Sequence, residues 1–90
     1  SKMIYKIVPK EKKIKIFGEN FVDKNKDKCK IIYNNNIFPL KEYFSIEELE
    51  KKSENKLELY LIEKEIIPDK SYMFDDCKLL EELSFLYDRS

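Results

Sequence analysis

The side chains best equipped for chemistry in this chain are acids, thiols and phenols. Asp23, Asn25 and Asp27 stand at alternate positions in the stretch DKNKDK, the spacing of the first three oxygen ligands of a calcium loop. Such a loop needs Gly at its sixth position and Glu at its twelfth. Lys28 and Asn34 stand there instead, and Lys24 and Lys26 add positive charge, so calcium binding is not expected. The acid pairs Glu47–Glu48, Asp75–Asp76 and Glu81–Glu82 could in principle serve a metal-dependent hydrolase or nuclease. Neighbouring side chains on a regular element point to different faces, so these pairs read as solvated charge.

Other chemistries are closed by composition. The chain has no His, which removes the commonest general acid–base near neutral pH and every Ser-His or Cys-His arrangement. Two Cys without His fall short of a zinc site. A single Gly cannot build a Gly-rich phosphate loop. The expectation is therefore no enzyme, no catalytic residue, no metal and no cofactor.

Cys29 and Cys77 could form one disulfide. Their low density, the lack of a Cys-x-x-Cys pair and their apolar neighbours favour free thiols packed in a core. Tyr33, Tyr43 and Tyr60 could mark a contact face, although half-buried packing on a sheet with one wet side suits them better.

Ninety residues make one domain, near the small end of what folds alone. Ile, Leu, Tyr and Phe dominate and Ala is absent, a mixture that suits pleated, half-buried surfaces. Charged residues reach 40%, but 13% aromatics argue against disorder. Residues 1–45 carry 11 Lys against 5 acids, and residues 46–90 carry 7 basic residues against 13 acids. The two halves are expected to face each other within one domain. The sharper alternative is a basic face offered to an acidic partner. A pI near 6.3 gives nucleic-acid binding little support. No apolar run approaches 18 residues and no signal segment is visible, so nothing places the chain in a membrane. The compartment stays open, the cytoplasm being the first expectation.

The elements that must position these residues follow from periodicity. In MIYKIVP, Met3, Tyr5 and Ile7 share one strand face, and Pro9 ends the strand. KIKIFG alternates Lys13 and Lys15 outward with Ile14 and Ile16 inward, and the two strands are expected to form a hairpin. Gly18 is expected to supply a positive-φ turn or bulge. The stretch after it reads as a loop pinned by Phe21 and Val22. CKIIYNNNIF predicts strand, Asn turn and return strand, with Pro39 keeping the return at an edge. SIEELEKK predicts a short surface helix with Ser45 and Glu48 as a capping box. KLELYLIE is the clearest strand: Leu57, Leu59 and Leu61 alternate with Glu58, Tyr60 and Ile62. Central core positions are Ile14, Ile16, Ile31, Leu57, Leu59, Leu61, Met73 and Leu80.

The stretch SYMFDDCKLLEELSFL admits two readings. As one helix, Met73, Cys77 and Leu80 form a stripe. As a turn followed by a strand, Leu80-x-x-Leu83-x-Phe85 fits the strand of a leucine-rich repeat. SYMFDDC together with that pattern resembles the repeats of BspA-like leucine-rich-repeat proteins, found in some bacteria and abundantly in protists. IFGENFV and NKDKC resemble the segment before the first repeat in protist members. The likeness runs from about Lys13 to Phe85. It implies that residues 1–70 act as an N-terminal cap and residues 71–87 as a first coil, with Met-Phe and Cys packed inside. Family members continue through many repeats, whereas this sequence holds one. Either the chain is cut from a longer protein, or it closes into a small domain; a closed domain is the expectation.

The overall expectation is an α+β domain: a small, mostly antiparallel sheet with one or two short helices. Its function is read as a non-enzymatic protein-interaction module, the capping region of a leucine-rich-repeat protein. The alternative is a stand-alone, β-grasp-like adaptor that binds a protein through a sheet edge. Partner-binding positions are Tyr60, Ile62, Phe85 and Tyr87, and self-association through the C-terminal strand is a further expectation. No nucleic-acid or membrane partner is expected.

Overall fold

The computed structural model describes residues 1–49 and 55–84. Its main layer is a five-stranded sheet in the order β4-β3-β6-β1-β7. The strands are β1 (Lys2–Lys6), β3 (Cys29–Tyr33), β4 (Asn36–Pro39), β6 (Lys56–Glu63) and β7 (Leu80–Ser84). Every neighbouring pair is antiparallel. A two-stranded ribbon of β2 (Lys13–Lys15) and β5 (Tyr43–Ser45), one helix α1 (Glu19–Asn25) and the turn over residues 71–79 complete the fold. The small, mostly antiparallel α+β domain is thus the observed architecture.

Period-two alternation explains the large sheet. Leu57, Leu59 and Leu61 on β6 and Met3 and Tyr5 on β1 are buried, and paired residues share a face: Met3 lies opposite Leu59, and Tyr5 opposite Leu57. Ile14, Ile16, Phe17, Phe21, Phe44 and Met73 join the same core from the elements covering that face. Phe17 stacks on Phe21 and Phe74, with centroids 5.6 and 5.7 Å apart. Phe44 meets Tyr33 and Phe38 edge-on at 5.1 and 5.6 Å. At the Asn turn, Asn34 and Asn35 adopt φ of 50° and 67°, the left-handed pair a two-residue hairpin demands. Pro39 indeed lies on the edge strand β4.

Several local expectations are corrected. β1 and β2 do not form a hairpin: β1 sits between β6 and β7, and β2 pairs with β5. The charged link permits a hairpin without requiring one. Crossing to the second layer buries Ile14 and Ile16 completely while β1 gains two longer partners. Gly18 has φ −68°, so no positive φ explains it. It is the N-cap of α1, which replaces the expected loop. Phe21 and Asn25, four apart, bury one face of this helix.

The 45–52 helix is a single 3₁₀ turn over Ile46–Glu48, and residues 50–52 lie outside the described residues. Ser45 Oγ accepts from the Glu47 amide at 3.2 Å, but Glu48 turns away from the capping box to pair with Lys41 at 2.9 Å. Leu49 is buried, so this turn is anchored more firmly than a surface helix. Leu80 packs at the margin of the core instead of its centre.

The C-terminal stretch is a turn followed by a strand. Successive tight turns run from Lys70 to Cys77, with Tyr72 and Asp76 both at φ 59°. Left-handed residues at two points prevent one continuous helix. The charge-divided halves of the chain interleave: β1 lies between β6 and β7, and Lys2–Glu58 and Lys41–Glu48 pair across the halves at 3.5 and 2.9 Å.

Candidate interaction surface

Alternation that buries one face of the sheet must present the other. Opposite to Leu59 and Leu61, β6 carries Tyr60 and Ile62. Register then builds a row across all five strands: Ile37 pairs with Ile32, Ile32 with Tyr60, Tyr60 with Lys2, and Lys2 with Ser84. Ile4 lies beside this row, opposite Glu58. Ile37 is 68% exposed and Ile62 38%. Among the described residues Ile37 and Ile62 expose apolar surface on this face and Ile4, Ile32 and Tyr60 are half-buried; exposed apolar surface of this kind can mark a contact site.

Polar groups frame the patch. The Tyr60 hydroxyl donates to Glu58 at 3.0 Å, and this bond raises its pKa. Lys2 pairs with Glu58 at 3.5 Å, and Lys56 with Glu81 at 2.7 Å. These ion pairs are largely exposed and contribute little stability; they orient the side chains around the patch.

The edge strand β7 provides a second feature. Backbone bonds run both ways between Ser1 and Leu61, at 3.3 and 2.9 Å, and Ile7 donates to Asn55 at 2.8 Å. Odd-numbered residues of β1 therefore face β6. Even-numbered ones face β7, as the bond from Lys6 to Leu79 at 2.7 Å shows. Ile4 opposes Glu82 and Lys2 opposes Ser84, so the alternation leaves the amide and carbonyl of Leu83 pointing away from the sheet. The register slips between Ile4 and Tyr5, with Glu81 as the extra residue. That bulge overturns the expectation for one acid pair: Glu81 reaches Lys56 on the outer face, and Glu82 pairs with Ile4 on that same face.

Of the predicted partner positions, Tyr60 and Ile62 lie together on the outer face; Phe85 and Tyr87 lie outside the described residues. Ile4, Ile32 and Ile37 were missed. Their signal was present in CKIIYNNNIF, where a two-residue turn joins Ile32 to Ile37, but only the sheet order brings them beside Tyr60. The three tyrosines do not form one face. Tyr33 packs inward on Phe44, and Tyr43 lies under Lys13 Nζ at 4.1 Å from its ring centre.

The calcium-like spacing is dismantled by α1. Asn25 is buried and its side-chain amide donates to the Phe21 carbonyl at 3.0 Å. Among the described residues no cluster of three metal-ligating side chains occurs. Cys29 and Cys77 are free and buried, as expected. Burial pushes both thiols up to about 11. A cavity of about 310 Å³ beside the Asn turn is walled by Ile32, Leu49, Lys56 and Tyr60.

A scan of protein-family models and searches of curated proteins and of solved structures gave no match to this chain.

Proposed function

We propose that this chain is a non-enzymatic protein-interaction module that receives a partner's strand at the open edge of β7, flanked by the Tyr60–Ile62 face. The observation that carries this reading is the outward-facing backbone of Leu83 on β7, which ends the strand order among the described residues. Unpaired edge groups are a template for strand addition.

Within this reading the chain is the capping region of a BspA-like leucine-rich-repeat protein, and the added strand is the next coil. Support comes from the turn that feeds β7: Met73 and Cys77 are buried and Phe74 packs against the core, the arrangement the likeness implies. The test is to express the reading frame that carries this sequence, with whatever follows Ser90. Further Met-Phe-x-x-Cys units, together with slowed exchange of the Leu83 amide in the longer chain, support the cap. A frame without such units removes the cap and leaves the adaptor form.

The adaptor form takes its strand from another protein. It is favoured by the uniformly antiparallel sheet, which accepts an antiparallel strand without changing its bonding pattern.

A further inference from the structure

We propose that the strand accepted by β7 is a basic one, with Lys or Arg alternating with apolar residues; this rests on the edge reading above and specifies its partner. The edge strand is acidic, since Leu80–Ser84 contains two acids and no basic residue. The bulge turns both Glu81 and Glu82 to the outer face. Glu81 is held by Lys56 at 2.7 Å, whereas Glu82 makes no such close pair among the described residues. Both carboxylates act on Lys56, whose pKa is raised chiefly through its bond to Glu81. Lys6, opposite Lys56, and Lys2, opposite Ser84, are further cations on the outer face.

Geometry sets which partner residue meets Glu82. An antiparallel strand added to β7 would exchange hydrogen bonds with Leu83, whose backbone points outward. The position opposite Glu82 then becomes a non-hydrogen-bonded site, where facing side chains come closest. A Lys or Arg there lies within reach of the carboxylate, and an acid there is repelled. Opposite Leu83 the partner side chain falls on the inner face beside Leu80, where an apolar residue fits. A second copy of this chain supplies no cation to Glu82 in either two-fold register: self-pairing centred on Glu82 sets acid against acid, and self-pairing centred on Leu83 sets Glu82 against Ser84.

The test uses the full chain and three synthetic heptapeptides of alternating pattern, with Lys, Gln or Glu at every second position and Ile or Thr between. A fourth peptide places Pro at the centre of the Lys version. Binding is followed by fluorescence polarisation and by the Leu83 amide signal. The Lys peptide is expected to bind about fivefold more tightly than the Gln peptide, to weaken with salt, and to lose binding with Pro. Glu82→Lys should invert the preference toward the Glu peptide. Equal binding of all three with a moving Leu83 signal overturns the basic partner and leaves the edge intact. No binding by any peptide overturns both. A Pro peptide that binds equally well shows attraction without strand addition and overturns the proposal, as does a concentration-dependent dimer that excludes the Lys peptide.

Discussion

Gly18 lies so close beneath the Tyr72 carbonyl that a Cβ built on it would stand 2.0 Å from that oxygen, with Asp75 atoms at 3.1 and 3.2 Å. The Gly18 amide meanwhile donates to the Met73 carbonyl at 2.8 Å. The start of α1 and the turn feeding β7 are thus locked backbone to backbone. Gly18→Ala should cost about 3 kcal/mol or more, since overpacking against rigid backbone cannot relax cheaply. Gly18→Asn should be no better, because φ is −68° and no left-handed conformation needs relief. Urea unfolding of both variants checks this. An Asn variant close to wild type would mean that conformation, and not the close approach, selects glycine.

Alkaline pH should unfold the domain before it affects most surface charges. Cys29 and Cys77 are pushed up to about 11 from an ordinary value near 9, chiefly by burial. Burial likewise drives the Tyr5 hydroxyl far above its ordinary value, and the field of Cys77 adds to this. All three fold as neutral acids. The unfolded chain therefore loses these protons first, and stability present below about pH 9 declines as pH rises toward 11. The urea midpoint measured from pH 7 to 11 should stay flat and then fall. At pH 7 both thiols should resist alkylation in the folded chain and react once it is denatured.

Tyr5 donates its hydroxyl to the Ile16 carbonyl inside the core, joining the large sheet to the end of β2. Tyr5→Phe keeps the ring but leaves a buried acceptor alone, at a cost of about 1–3 kcal/mol. Thermal or urea unfolding measures it. A neutral result would mean that water reaches the Ile16 carbonyl.

Leu59 is fully buried on the central strand, and Ile66 is 90% exposed. Leu59→Ala should cost about 2–5 kcal/mol, and Ile66→Ala less than about 0.5 kcal/mol. Paired unfolding curves test whether β6 carries the core.

At the Asn turn, Asn35→Gly should be neutral or mildly stabilising, because φ is 67°. Asn34→Val should destabilise by about 1–2 kcal/mol, since a β-branched residue resists φ 50°.

Much of the sheet was legible from local pattern. The alternation of KLELYLIE and MIYKIVP depends only on which side chains avoid water, and the Asn turn depends only on which residues tolerate left-handed backbone. The same alternation placed Tyr60 and Ile62 on the wet face. α1 was not legible: seven residues with Phe21 and Val22 as its only large apolar side chains give too little periodicity to separate a short helix from a pinned loop.

Sequence by itself determined the faces, because a strand's period of two is a local property of the backbone. The tertiary structure decided the neighbours. Which strand lies beside β1, why Gly18 must be glycine, and how Ile37 and Ile32 come to lie in one row with Tyr60 all depend on contacts between distant segments. Those contacts are chosen by the total area buried across two layers, a quantity that no single stretch of chain contains.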